Sequence, residues 1–109
     1  MDIKNSNEIF IGIDGGATKT KGVLLDINGN TIYSLTIKGS NLRIYQDIAA
    51  QRIRGLIEDL IEKSSIDSEM IKCIGLGIAG SSDQDGRDLL FKELDRINFS
   101  EKTLLTNDA

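Results

Sequence analysis

A carboxylate, two glycines and two threonines fall within seven positions near the start of the chain, in Asp14-Gly15-Gly16-Ala17-Thr18-Lys19-Thr20. Glycines let a backbone approach a ligand closely and adopt positive φ. A tight turn here exposes the N–H groups of residues 16–20, with the Thr18 and Thr20 hydroxyls as further donors and Lys19 adding positive charge. A concave array of N–H groups cradles phosphate oxygens. Asp14, at the end of an apolar run, is placed to hold the hydrated Mg²⁺ that phosphates bring with them. A second candidate is Asp108, which closes the run "TLLTNDA". The chain contains no His, so acid–base chemistry within it rests on carboxylates. On "DGG" alone, a glycine turn with a solvated Asp is an equal reading, and Asp108 alone reads first as a solvated residue.

The surrounding runs say what must position these groups. Ile9–Asp14 and Thr20–Ile27 are strand-like, "NGN" at 28–30 signals a hairpin, and Thr31–Ile37 alternates like a half-exposed strand. Strand-like residues on both sides of the glycine turn exclude the dinucleotide fingerprint and the P-loop, since both open a helix. Ile48, Ala49, Ile53, Leu56, Ile57, Leu60 and Ile61 mark one helical face, weakened at Gly55. "IKCIGLGIAG" (71–80) reads as a strand buried on both faces, with Cys73 a small buried residue. A second helix fits Gln84–Ile97, with Leu89, Leu90, Leu94 and Ile97 inward and Ser82 or Asp83 as N-cap; "KTLLT" (102–106) reads as a last strand. The order β-β-β-α-β-α-β predicts an α/β domain: a mixed five-stranded sheet with helices covering its faces.

Bulk properties narrow the function. With 109 residues, 39% hydrophobic and 28% charged, the chain has the composition of one ordinary globular domain. A net charge of −4 with dispersed Lys and Arg argues against a nucleic-acid surface. No apolar run approaches the roughly 20 residues of a membrane span, and the polar "MDIKNSNE" lacks a signal-peptide core. One cysteine excludes an internal disulfide, and a cytoplasmic location is the default expectation.

The string "GIDGGATKTKGVLLD" resembles the first phosphate hairpin of the sugar kinase, heat-shock ATPase and actin superfamily, whose nucleotide-binding halves have a ribonuclease H-like fold. The element order agrees with the N-terminal half-domain of that fold. "KGSNL" (38–42), "GLGIAGSSDQDGRDLL" (75–90) and "LLTNDA" (104–109) narrow the resemblance to the N-acetylglucosamine kinases within the BadF/BadG-type ATPases. The resemblance implies ATP and Mg²⁺ as cofactors and an amino sugar as substrate. It places Gly15, Gly16, Ala17, Thr18 and Thr20 on the ATP phosphates and Asp14 at Mg²⁺, with Lys19 either a further phosphate contact or a solvated turn residue. It places Asn41 with Ser40 on sugar hydroxyls, Gly80 and Ser81 near sugar and phosphates, and Asp108 as the base at the 6-hydroxyl.

For Asn41, a turn-forming role is an equal alternative. Asp83, Asp85 and Asp88 read as a helix-start charge cluster, not a metal site. The second phosphate hairpin and the adenosine pocket of such kinases have no counterpart among these residues. Residues 1–109 are therefore expected to be one half-domain of a longer two-domain protein, partnered by its C-terminal half, with little or no activity alone. Kinases of this kind often form homodimers. A dehydratase-activating ATPase and a non-catalytic sugar-sensing module are the competing readings.

Overall fold

A computed structural model of the chain describes residues 8–106. β1 (Ile9–Gly15) leads through a short turn into β2 (Lys19–Leu25), and a hairpin then returns β3 (Thr31–Lys38). The second hairpin is organised by Asp26, whose Oδ1 accepts from the N–H groups of Asn28 and Asn30, both at 2.9 Å. Gly29 there takes φ +84, a conformation that favours glycine.

A four-residue helix, α1 (Leu42–Tyr45), follows; the periodicity did not predict it. Next come α2 (Asp47–Ser64), β4 (Ile71–Ile78), α3 (Gln84–Arg96) and β5 (Thr103–Thr106). The five strands lie in the order β3-β2-β1-β4-β5. β1 pairs antiparallel with β2 and parallel with β4, so the glycine turn and the end of β4 emerge side by side at one edge of the sheet. The mixed sheet and the order of its five strands and two long helices match expectation.

Four expectations fail on burial. The buried strand residues Ile11, Ile13, Leu24, Ile74, Leu76 and Ile78 all lie on one face, where they pack with Ala49, Ile53, Leu56, Ile57, Leu60, Leu90 and Leu94 of the helices. Residues pointing to the opposite face, such as Gly12, Val23 and Gly75, are half-buried or exposed, and Leu104 is 67% exposed. The helices therefore cover one face of the sheet among the described residues, and β4 is buried on one side only. Cys73 belongs to the open side and is half-buried. Ile48, predicted on the core face of α2, is exposed, while the next two residues of the first turn, Ala49 and Ala50, are the buried ones.

Candidate phosphate site

The site is built from the turn between β1 and β2. Gly16 N–H donates to Lys19 O at 2.9 Å, and Gly16 O accepts from Ser40 N–H at 3.0 Å. In a trans peptide the carbonyl and the following N–H point in opposite directions. With the Gly16 carbonyl turned toward Ser40, the Ala17 N–H faces outward. Ala17 and Thr18 are exposed and form no backbone hydrogen bond among the described residues, so their N–H groups are free for a ligand. The expected array over residues 16–20 is thus narrower, since the Gly16 N–H already has a partner within the turn.

Thr20 and Ser40 sit behind the turn, both fully buried. Thr20 Oγ1 lies 2.9 Å from Lys38 O and 2.7 Å from Ser40 Oγ, within hydrogen-bond distance of each. The Thr20 hydroxyl, expected on phosphate, and Ser40, expected on sugar, are here shut from solvent and hydrogen-bonded inside the protein.

In front of the turn an open cavity of about 510 Å³ is lined by Asp14, Gly16, Thr18, Lys19, Lys21 and Thr36. Lys21 and Thr36 were not expected there. They follow from register: Asp14 pairs with Lys21 across β1 and β2, and Lys21 with Thr36 across β2 and β3. Once the turn is centred on Ala17 and Thr18, pairing position 14 with 21 is forced, so the sequence did carry this signal. Two ammonium groups beside one carboxylate give the cavity a net positive character suited to an oxyanion. A neighbouring cavity of about 360 Å³ over Gly12, Val23 and Gly75 shares Asp14 and Lys21, opening the site onto the uncovered sheet face.

The donor set fits a polyphosphate. It fits Mg²⁺ only through one protein carboxylate, Asp14, which suits an ion that keeps most of its water. No cluster of three carboxylate, Cys or His ligands occurs among the described residues. Asp83 instead caps α3, its Oδ2 accepting from Gly86 N–H and from Gln46 Nε2, both at 3.0 Å.

The loop after β3 lies beside the turn. Asn41 Oδ1 accepts from the N–H groups of Arg43 and Ile44 at 3.0 and 3.1 Å and so caps α1, which leaves the amide Nδ2 to meet a ligand. Gly80, at φ +76, has no room for a Cβ, because Asn41 Oδ1 and the Arg43 backbone fill that place. Ser81 is fully buried, and its hydroxyl has no partner among the described residues. Asn41 and Gly80 are thus in contact, whereas the Ser81 side chain is not accessible to a ligand. Asp108 lies outside the described residues.

The sequence profile of the BadF/BadG/BcrA/BcrD ATPase family matches residues 11–101. The chain belongs to this family. It is 44% identical over 59 residues to the N-acetyl-D-glucosamine kinase of Dictyostelium discoideum, an alignment covering 53% of this chain and 18% of that protein. Among solved structures, it superposes with TM-score 0.62 and 20% identity on a Chromobacterium violaceum protein assigned as an N-acetylglucosamine kinase, covering 78% of this chain and 30% of the other. The activator of 2-hydroxyisocaproyl-CoA dehydratase from Clostridium difficile, bound to ADPNP, gives TM-score 0.52 and 25% identity, covering 69% and 25%. The chain therefore has the actin-like ATPase fold, and it spans less than a third of the length of each of these relatives.

Proposed function

We propose that this family member supplies the N-terminal phosphate- and sugar-binding half of an ATP-dependent kinase for an amino sugar, N-acetylglucosamine or glucosamine, acting at the 6-hydroxyl. The observation that carries this reading is the placement of free Ala17 and Thr18 N–H groups, Lys19 and Lys21 next to the loop bearing Asn41. In this reading a phosphate-binding turn and a hydroxyl-recognising amide are neighbours. The 44% identity to a kinase of this class supports the choice of substrate.

In this reading the N–H groups and the two lysines hold the phosphates of ATP, and Asn41 Nδ2 orients the sugar. Asp14 would hold a hydrated Mg²⁺, which neutralises phosphate charge when bound. Asp108 accepts the 6-hydroxyl proton as the oxygen attacks the γ-phosphorus and the bond to the ADP oxygen breaks. Phosphoryl transfer depends mostly on positioning and charge neutralisation, so a half-site of this composition suits it. The C-terminal half would close over ATP and exclude water. A cytoplasmic enzyme, dimeric when full-length, completes the proposal; no helix among the described residues is long and apolar enough to cross a membrane.

A dehydratase-activating ATPase is the second reading, favoured by the 25% identity to such an activator. Activators of that kind resemble one another in carrying a cysteine-ligated iron–sulfur cluster; the chain holds one cysteine, half-buried in β4, so ligands for such a cluster would have to come from elsewhere. A phosphorylation assay on the full-length protein across hexoses and amino sugars separates the two. Sugar-dependent ADP release with an amino sugar is expected, together with loss of transfer in Asp108→Asn. ATP hydrolysis indifferent to every sugar would sink the kinase reading, and normal transfer by Asp108→Asn would sink the base assignment.

A further inference from the structure

Ser40 was expected on the substrate, yet its contacts run toward the phosphate turn. Its N–H holds the Gly16 carbonyl, and its buried hydroxyl lies 2.7 Å from the buried Thr20 hydroxyl. Gly39, just before it, touches the turn from outside: a Cβ at Gly39 would overlap the Ala17 carbonyl and come within 3.0 Å of Gly16 O. The same segment is anchored from the opposite side, where Arg52 Nη1 of α2 donates to Gly39 O at 2.6 Å.

Resting on the phosphate reading of the turn, we infer that Gly39 and Ser40 form a strap that sets the Gly16–Ala17 peptide, making Ser40 a positioning residue for phosphate bound at Ala17 and Thr18. The physical reason is that a four-atom peptide unit in an exposed glycine turn has little to fix it locally, since glycine permits several backbone states. Ser40 N–H selects the state with the Gly16 carbonyl inward and hence the Ala17 N–H outward. The paired hydroxyls of Ser40 and Thr20 hold that N–H in place, because separating them would leave the buried Ser40 hydroxyl unsatisfied. The strap continues directly into Asn41, so the sugar-side loop and the phosphate turn move as one piece. Displacement of either displaces the other.

The test uses the 109-residue chain, titrated with inorganic tripolyphosphate and followed through its amide resonances. Wild type is expected to shift at Ala17 and Thr18. Ser40→Ala and Thr20→Val should weaken binding about fivefold or more and move both amides even without ligand. Thr20→Ser, which keeps the hydroxyl, should stay within about twofold of wild type. Ile57→Val, a buried methyl deletion outside the strap, should lower thermal stability without changing affinity. The inference is overturned if Ser40→Ala and Thr20→Val bind like wild type with unmoved amides, or if Ile57→Val loses affinity as they do. Failure of wild type to bind tripolyphosphate would overturn the underlying phosphate reading; the unliganded amide positions in the variants still decide whether the strap sets the turn.

Discussion

At the residue scale, the turn shows that a residue type announces chemistry without saying which way its atoms point. Thr18 and Thr20 are two positions apart and chemically identical, yet one is exposed at the cavity and the other fully buried behind it. Strand alternation explains this, since neighbours two apart share a face only while the strand continues, and β2 begins at Lys19. Lys21 gains a role by the same geometry. Lys21→Ala is expected to weaken tripolyphosphate binding about three- to tenfold, with a shallower salt dependence, measured by calorimetry at two ionic strengths. Asp83 offers a pH signature. Its carboxyl is held below the usual value of 3.8, first by the Gly86 N–H and then by the Gln46 amide and the nearby Arg43 charge. A depressed folded pKa means the stabilisation is full above 3.8 and lost as pH falls through the folded value. Asp83→Asn keeps a capping oxygen but removes the titration, so its thermal midpoint should depend less on pH in that acid range.

At the element scale, the two long helices were legible because apolar residues recur at helical spacing, while the partners across elements were not. Glu93 on α3 is 7% exposed and meets Arg54 of α2 at 2.6 Å; a periodicity plot shows only two charges on separate helices. Gly55 was legible as a weak point of its helix, whereas the neighbours of Gly22 were not. A Cβ at Gly22 would come within 2.9 Å of Leu60 and 3.0 Å of Leu56, so Gly22→Ala should cost about 1–3 kcal/mol of unfolding free energy in urea titrations. A Cβ at Gly55 meets nothing within 4 Å, and Gly55→Ala should stabilise α2 by about 0.5–1 kcal/mol in the same measurement. Gly22 faces packed leucine side chains and Gly55 faces open space, so substitution is expected to have opposite signs.

At the scale of the whole domain, one hydrophobic cluster joins all five strands to both long helices, directly or through partly buried neighbours such as Tyr33, Leu35 and Leu105. Tyr33 on β3 and Tyr45 on α1 report on different edges of that cluster. Unfolding followed by tyrosine fluorescence and by far-ultraviolet circular dichroism should therefore give one coincident transition. Separate midpoints would show that the meander and the helical layer melt independently.

The amino-acid sequence by itself determined the order of the five strands and two long helices, the hairpin with its glycine turn and the family, and narrowed the cap of α3 to Ser82 or Asp83, because these rest on local periodicity, turn chemistry and short motifs. Only the tertiary structure decided that Ser40 and Thr20 face each other in the interior, that Lys21 joins the phosphate cavity, and that the helices leave one sheet face open. Those facts depend on strand register and on which side a crossover packs. Register is set by contacts between segments far apart in the chain, and a shift of one residue would turn every side chain on a strand to the other face.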